Sequence, residues 1–540
     1  MHELKESRPW ARWTAVGLAM LALAAQATAQ TATQTQTQDA PEDTRKVDVV
    51  EYIVRGNTVL GVRDIEKAVT PFLGPERTMK DIEGARDALL AAYQAKGYQS
   101  VYVDLPEQQV TEGLVFLQVS ETRVGRVRVV GAEYISPLEV RDQVPALKEG
   151  QVLDFNQAQV ELTALNSTPK RQVMPLVKQG ALPGTMDVDL KVQDESPWRG
   201  SLGLNNDYSA DTRELRATAA IGHDNLWQLG HSASISFYGA PQDLSQTQVI
   251  TAAYTAPIHG SNWSIDASAY KSDSNVATVG GTNVLGKGHA FGLKATYTVP
   301  SAGSWLHTFS AGLELKNVNE ALRMADAGDT VPLKYAPITL GYNGFVQGER
   351  SQVGLGLSMV LGTSSFFNYG SDWQQFDYKR YKATPSFMVL KGDINGSYTL
   401  PGDSQLGFRL AGQITDSPLV SSEQIAAGGM NSVRGYLSAE STGDYGLVGS
   451  IEWRTKPLDW FGSWAENWRL YTFADAGRVR LKDPLPEQQD GFTLASVGLG
   501  TSLRISSLVN GRIDVGYPLK AGARTERHDT RINFSLTANY

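Results

Sequence analysis

From Trp198 to Tyr540, apolar and polar residues alternate with a period of two, and this pattern restricts the fold more than any other feature of the chain. In one stretch, for example, serines alternate with Ala233, Ile235 and Phe237. This is the period of a β-strand that has one apolar and one polar face. We count sixteen candidate strands, most of them nine to thirteen residues long.

Sixteen strands of this length fit a barrel that crosses a membrane. A water-soluble sandwich alternates in the same way, so the pattern alone leaves open which face meets water. The strand length, the even strand number and the export signal described below favour the transmembrane barrel. The connections agree, because odd-numbered ones such as 362–383 and 420–445 are long and even-numbered ones such as 347–351 are short. Sixteen strands also leave a lumen wide enough for water.

The N-terminus has the features of an export signal. A net-basic head region precedes an apolar run over residues 15–25, and residues 27–29 read Ala-Thr-Ala. This order predicts a signal peptide over residues 1–29, cleaved after Ala29. Residues 30–46 are rich in Thr and Gln and predict a solvated low-complexity linker.

Between the linker and the barrel, a β-α-α-β-β order of elements occurs twice. The first strand of each copy ends in a glycine, Gly56 in one and Gly131 in the other. Each copy contains a sheet and two helices, which is the composition of a small α+β module. We therefore predict two such modules, residues 47–121 and 122–195, followed by the barrel over residues 196–540.

The segment 420–445 interrupts the regular hairpins, because it is long, rich in Gly and Ser, and has neither a strand nor a helix pattern. A loop of such length inside a compact domain is usually functional or disordered, and we interpret this one as functional. Its motif residues are Val433, Arg434, Gly435 and Tyr436, followed by Gly443, Asp444 and Gly446. The parity of the strands predicts that this loop emerges on the extracellular side.

The thirteenth candidate strand contains a second motif, Phe473, Asp475 and Gly477. Alternation places Phe473 and Asp475 on the same face. If that face lines the lumen, Asp475 is a carboxylate in a confined space, and Arg434 could pair with it in a bidentate contact if the loop folds inward. The residues alone leave open the alternative that both side chains are simply solvated charges.

Together, the two motifs, the two modules and the sixteen strands resemble the TpsB transporters of two-partner secretion. These are haemolysin secretion/activation proteins of the barrel-assembly superfamily, with POTRA domains in front of their barrel. The resemblance covers the chain after the linker and implies that the loop folds back into the barrel, that Arg434 pairs with Asp475, and that Gly435 forms the tight tip. It also implies that the last strand, with Phe534 and Tyr540, is the signal for barrel-assembly machinery, although the usual last residue is Phe.

The resemblance further implies an outer-membrane translocation pore of a Gram-negative bacterium, with residues 30–195 in the periplasm. Its POTRA-like modules would capture a large, unfolded, TpsA-like exoprotein. We expect a monomer in contact with outer-membrane lipid. A net charge of −8 disfavours a nucleic-acid partner. We expect no enzyme activity, no cofactor and no metal, because no catalytic motif is intact and the seven histidines lack ligand spacing.

Two other functions stay open at this point. A barrel-insertion or assembly factor of the same superfamily shares the loop motif but usually has more periplasmic modules, and a passive solute porin needs no periplasmic arm. Many TpsB transporters also have an N-terminal helix that plugs the pore. About seventeen residues separate Ala29 from Val47, which is short for a plug helix and its linker, so we expect the plug to be absent or vestigial.

Overall fold

A computed structural model of the protein describes residues 46–166, 170–274, 277–279, 283–285, 287–300, 303–319, 332–364, 369–460, 462, 465–506 and 508–540. The predicted signal peptide and nearly all of the predicted linker lie outside these residues. The chain divides into two compact units. One contains the described residues up to Arg126 with Ala146–Val160 and Val177–Val188, and the other contains Val127–Pro145, Glu161–Leu176 and Asp189–Tyr540. The predicted module boundaries at residues 121 and 195 stay predictions.

The first predicted module has two helices against a three-stranded sheet. Its elements are β1 Val47–Val49, β2 Glu51–Arg55, α1 Val62–Val69, β3 Gly74–Arg77, α2 Met79–Ala95, β4 Val101–Asp104 and β5 Leu114–Glu121. The sheet order is β2-β5-β4, and β1 pairs separately with β3. The strand expected over residues 47–54 is therefore interrupted at Val50, and β3 is a strand that the alternation does not predict.

Helix α2 shows why this module folds as its pattern predicts. Thr78 caps the helix, because its side chain accepts the N–H of Asp81 while the Asp81 carboxylate accepts the N–H of Thr78. This reciprocal arrangement satisfies two backbone donors that a helix start leaves free. The expected apolar face is buried in the core of the module, and it consists of Ile82, Ala85, Leu89 and Tyr93.

The second predicted module repeats the order of elements. They are β6 Arg123–Val130, α3 Pro137–Asp142, α4 Phe155–Leu165, β7 Arg171–Gln179 and β8 Thr185–Asp194, in a sheet of order β6-β8-β7. The two equivalent glycines have positive φ, +85° at Gly56 and +84° at Gly131. A Cβ at Gly56 would lie 2.3 Å from the carbonyl oxygen of Val119, and one at Gly131 would lie 2.8 Å from that of Val192. The repeat therefore keeps one close backbone approach in both copies.

In each module, a carboxylate at the end of the last strand holds the loop that follows β2 or β6. Glu121 accepts the backbone N–H of Thr58 and Val59. Asp194 accepts three backbone N–H groups, those of residues 133, 134 and 135, at 3.0, 2.7 and 2.8 Å. Burial alone would raise the pKa of the Asp194 carboxyl, but these donors outweigh it and hold the pKa below its ordinary value.

Sixteen long strands of the described chain close into an antiparallel barrel, in which β29 pairs with β9. They are β9 Trp198–Asn205, β10 Arg216–Leu226, β11 His231–Gly239, β12 Gln248–Pro257, β13 Trp263–Ser272, β16 Gly288–Val299, β17 Trp305–Val318, β19 Ile338–Gln347, β20 Ser351–Leu361, β21 Met388–Thr399, β22 Gln405–Thr415, β25 Tyr445–Arg454, β26 Ala465–Arg480, β27 Gly491–Ile505, β28 Val509–Pro518 and β29 Arg531–Asn539. A three-residue strand, β18 Leu333–Tyr335, extends the wall beside β17.

The remaining elements lie in the long odd-numbered connections. They are β14 Ala277–Val279, β15 Asn283–Leu285, helix α5 Trp373–Lys379, β23 Ile425–Ala427 and β24 Ser441–Gly443. The four short strands form a separate sheet of order β14-β15-β23-β24. Two of them belong to the loop 420–445, so the expectation that this loop has no regular structure is wrong. Each run of three residues is too short to show a period.

The alternation separates the two faces of the barrel wall. Large apolar side chains on one face stay exposed, for example Leu202 at 66% and Ile235 at 58%, while the other face is polar. Such exposure over a whole surface is unfavourable in water, and it is the outer face of a barrel in lipid. The predicted fold class, a sixteen-stranded barrel preceded by α+β modules, is confirmed. Among the described helices, none has the length and the apolar character for a membrane span.

Candidate functional site

The loop between β22 and β25 lies against the inner face of the wall. After Val420 it makes a short 3₁₀ turn, Ser421–Glu423, and then β23 pairs antiparallel with β24. The two glycines after β23, Gly428 and Gly429, have φ of +109° and +104° and turn the chain toward the motif. Most residues from 418 to 445 are buried. A loop on the outer surface would be solvated, so this one is packed inside the barrel.

Arg434 is the centre of the contacts between the loop and the wall. Its side chain is 4% exposed and that of Asp475 is 0% exposed. The Arg434 Nε donates to Asp475 Oδ2 at 2.7 Å and the Nη2 donates to Oδ1 at 2.7 Å. The backbone N–H of Arg434 also donates to Oδ2, at 3.0 Å. Two parallel side-chain bonds make the pair bidentate, which fixes its direction as well as its distance.

Three further wall residues complete the surroundings of the guanidinium. Nη1 donates to Glu452, and Nη2 donates to the Ser450 hydroxyl at 2.9 Å. That hydroxyl in turn donates to Asp475 Oδ1 at 2.6 Å. Asp514 lies 3.9 Å from Nη1 and is itself paired with Arg512 at 2.8 Å. Because these residues lie on β25, β26 and β28, the loop arginine connects three strands.

The other members of the strand motif shape the space around the loop. The Phe473 ring lies under the guanidinium, with 3.5 Å from the arginine Cζ to the ring centroid, which is a cation–π contact. Gly477 leaves room for the loop, because a Cβ there would lie 3.1 Å from Cγ2 of Val433. Val433 is fully buried in the cluster that covers this wall. Each of the three motif positions on β26 therefore contacts the loop or makes space for it.

Gly435 lies where the loop backbone approaches the wall most closely. Its φ is +92°, a conformation that favours glycine. The wall residue that faces it is also a glycine, Gly516 of β28. A Cβ on Gly516 would lie 2.6 Å from the backbone nitrogen of Gly435, so only a glycine leaves room for the loop there. The next residue, Tyr436, is fully buried and its hydroxyl lies 2.9 Å from the carbonyl of Ala495 and 2.8 Å from that of Lys520.

The second part of the loop motif holds the base of the loop. Asp444 is fully buried and accepts the backbone N–H of Leu419 at 3.1 Å and of Lys482 at 2.7 Å. Its carboxylate also lies 3.4 Å from Nη2 of Arg380. Gly443 and Gly446 let the chain lie directly on β26, because a Cβ at either would come within 2.7 Å of a backbone oxygen of that strand.

Two more buried carboxylates anchor the loop, and the sequence reasoning missed both. Glu423 pairs with Lys316 of β17 at 2.7 Å and accepts the Tyr335 hydroxyl at 2.8 Å. Glu440 accepts the backbone N–H and the hydroxyl of Thr525 at 2.7 and 2.9 Å. Glu452, Ser450, Asp514 and Gly516 were missed as well. The only available signal was their polar or small character on the inner face, which many other residues share.

The two residues expected to form the C-terminal signal lie apart from this site. Phe534 is on the apolar outer face at 38% exposed, and Tyr540 is 82% exposed. The backbone of Tyr540 exchanges two hydrogen bonds with Gly200 of β9, at 2.8 and 3.1 Å, where the barrel closes. Their recognition by assembly machinery stays a prediction. Within the described ranges, His, Asp and Glu residues form no group of three or more that could hold a metal ion.

Residues 184–503 match the family described as haemolysin secretion/activation protein ShlB/FhaC/HecB, and residues 47–122 match the ShlB-type POTRA domain. The chain is 22% identical over 485 residues to the outer membrane transporter CdiB of Dickeya dadantii, covering 86% of this chain and 81% of that protein. It is 19% identical over 483 residues to the heme/hemopexin transporter protein HuxB of Haemophilus influenzae, covering 87% and 83%.

The fold agrees with a solved structure. CdiB from Escherichia coli superimposes over the full length of both chains with a TM-score of 0.61, at 18% identity. The family match spans more than half of the sequence and includes most of the barrel and most of the loop contacts described above. The resemblance predicted from the motifs is confirmed: this chain belongs to the haemolysin secretion/activation protein family.

Proposed function

We propose that this protein is the outer-membrane pore of a two-partner secretion system in a Gram-negative bacterium and exports one large partner protein. The observation that carries this proposal is the family match over a closed barrel, together with the contacts between Arg434 of the loop and Asp475 of the wall. A passive porin has no need for the two α+β modules in front of the barrel. The chain acts as a conduit and not as a catalyst.

The periplasmic modules are the proposed capture site for the unfolded partner. Strand β4 is an edge of its sheet, and an extended peptide can add to such an edge through main-chain hydrogen bonds. A groove of about 600 Å³ lies beside it, lined among others by Tyr102, Phe155 and Val177. Tyr102 is 64% exposed and Val177 is 52% exposed. Apolar side chains in that position would bind alternate side chains of the captured strand.

The loop 420–445 is the proposed gate, and Arg434 with Asp475 is the latch that holds one of its states. The contacts are geometrically specific, since they combine a bidentate pair, a ring under the cation and two glycines. Folding of the partner outside the cell would supply the driving force. We further propose that the protein works as a monomer surrounded by lipid, without cofactor or nucleic acid, and that barrel-assembly machinery inserts it.

The experiment first searches the neighbouring genes for a large exported protein and then uses that protein in a secretion assay. Deletion of residues 47–195 is expected to abolish release of the partner while an inserted barrel remains. Tyr102→Ser is expected to reduce release several-fold, because it removes an exposed apolar contact beside the β4 edge. Leu138→Ser is the matched control, since Leu138 is 70% exposed on helix α3 and outside the groove.

Normal release after deletion of the modules contradicts capture by them. Release that is normal in every variant, combined with a general loss of other outer-membrane barrels when the gene is deleted, favours the assembly factor. An absence of any large exported partner, with free passage of small solutes through the reconstituted protein, favours the porin.

A further inference from the structure

The outer wall of the barrel has a groove on the side that meets lipid. It extends over β20, β21, β22, β25 and β26 and has a volume of about 740 Å³. Its walls are leucines and isoleucines that stay exposed, among them Leu357, Leu410, Ile414 and Leu447 at 50%, 41%, 61% and 52%. The groove therefore lies in the apolar band, behind the strands that hold the loop.

Two glycines on neighbouring strands form the floor of this groove. Gly392 of β21 is paired directly with Gly412 of β22. The row continues to Leu357 on one side and to Leu447 on the other. Because neither glycine has a side chain, the outer face is recessed at this point while its neighbours project by a full leucine. A recess of this kind has the width and the apolar lining for an acyl chain.

The same row ends in two arginines on the outer face. Arg478 is paired with Leu447, and Arg480 is paired with Tyr445. The buried residues of this part of β26 are Gly477 and Val479, so residues 478 and 480 point away from the lumen. They are two positions apart on one face, about 7 Å. As β26 is the thirteenth strand of a barrel that begins at the periplasmic side, both lie toward the extracellular end.

These arginines differ from three arginines of the lumen. Arg434, Arg454 and Arg512 each pair with a carboxylate. In the part of the chain that the structure describes, neither Arg478 nor Arg480 has an ion pair or a side-chain hydrogen bond. A cation on the lipid face is unfavourable near the membrane centre and tolerated near the interface. At that level, an unpaired guanidinium is suited to bind a phosphate in bidentate geometry.

We propose that this groove binds a phosphorylated lipid of the outer leaflet, the lipid A part of lipopolysaccharide. One acyl chain lies over Gly392 and Gly412, and Arg478 and Arg480 bind the phosphate on the headgroup. The charge of the arginines, their position at the extracellular end and the apolar recess below them all fit this one ligand. The proposal concerns the outer wall and is independent of the secretion function.

The test measures lipid retained by the purified full-length protein in native mass spectrometry, with lipid A as the probe and dephosphorylated lipid A as the comparison. We expect the wild type to retain lipid A at least tenfold better than the dephosphorylated lipid. The double substitution Arg478→Gln and Arg480→Gln is expected to remove this difference, because it removes the charge-assisted hydrogen bonds. Gly392→Val is expected to lower retention of both lipids, because it fills the recess.

Two matched controls accompany these variants. Arg527→Gln changes an exposed arginine in the connection after β28. Gly511→Val changes a glycine of the outer wall whose Cβ would only make ordinary contacts, at 3.7 and 3.9 Å from leucine side chains. Both are expected to retain lipid A like the wild type. Heat-modifiable migration in gels shows that each variant is a closed barrel.

Equal retention of lipid A by the wild type and by a folded double arginine variant overturns the phosphate site. Undiminished retention in folded Gly392→Val overturns the acyl site. Retention of phosphatidylglycerol as strong as that of lipid A overturns the assignment to the outer-leaflet lipid.

Discussion

Replacing Arg434 by glutamine is the most direct test of how the loop is held. The substitution keeps a polar side chain, although a shorter one, and removes the charge, the bidentate pair with Asp475 and the contact with the Phe473 ring. Removing one partner of a buried ion pair costs about 3–5 kcal/mol when the other charge stays buried. Here the wall carboxylate regains water when the loop leaves, so we expect the docked state to lose about 3 kcal/mol relative to the released state.

The native chain contains no cysteine. A single cysteine introduced into the loop is therefore the only thiol, and it can react with an alkylating reagent only when the loop is released. Ser432 is suited to the substitution Ser432→Cys, since it is 1% exposed near the arginine and its hydroxyl accepts the N–H of Gly428 at 3.2 Å. The rate of thiol alkylation then follows the population of the released loop. A loss of about 3 kcal/mol corresponds to a rate roughly 100-fold higher, as each 1.36 kcal/mol is a factor of ten.

Two further variants show whether the released loop in Arg434→Gln results from the unpaired buried charge of Asp475 or from the loss of any arginine charge. Arg434→Gln combined with Asp475→Asn leaves no unpaired charge at the pair, and Glu452 keeps its bond with Arg454, so this double variant is expected to release the loop less than the single one. Arg524→Gln removes an ion pair with Asp211 whose partners are 55% and 57% exposed, and it is expected to change the rate by less than a factor of five. An alkylation rate in Arg434→Gln equal to that of the wild type would refute the latch.

Three other substitutions test single features of the fold. Gly516→Ala is expected to raise the population of the released loop without removing any charge, because its Cβ would lie 2.6 Å from the backbone of the loop tip. The same alkylation assay measures this population. Gly131→Ala is expected to lower the free energy of unfolding by about 2 kcal/mol more than Gly184→Ala. Both glycines have positive φ, but only at Gly131 would a Cβ lie close to another atom, 2.8 Å from the carbonyl oxygen of Val192. Equal losses of unfolding free energy in the two variants would contradict this clash. The pKa of Asp194 is lowered in the folded protein. The stabilisation that its carboxylate gives to the fold is therefore complete above the unfolded pKa of about 3.9 and is lost as pH falls through the folded pKa. In the wild type, hydrogen-exchange protection of the amides of residues 133–135 should therefore fall below pH 4, and in Asp194→Asn it should already be lower at pH 7, by about 1–2 kcal/mol.

The barrel was predictable from the sequence because period-two alternation is a local property of each strand. The same alternation shows which residues of a strand share a face. Phe473 and Asp475 share one face as predicted, and on that face each whole residue is only 3% exposed. The interruption at Val50 was not predictable in this way, because it depends on the pairing of β1 with β3, a contact between segments that no local pattern records.

The candidate site was predictable only in part, for a physical reason. Arg434 and Asp475 were found because their motifs resemble a known family. Glu452 and Asp514 could not be singled out, because a carboxylate on the inner face of a wide barrel is ordinary unless something is packed against it. Glu452 and Asp514 belong to the site only because the loop lies against them. The position of the loop results from contacts between residues far apart in sequence.

Two glycines on the inner wall make room for the loop, and the alternation pattern does not reveal this role. In the sequence, Gly477 and Gly516 read as members of the polar face of a strand. In the structure, they are the places where Val433 and Gly435 lie against the wall. The loop is therefore held by shape as well as by charge, and the two contributions are carried by different residues. For this reason, neutralising the ion pair alone should weaken docking without abolishing it, and only a change that also fills the glycine positions should keep the loop permanently released.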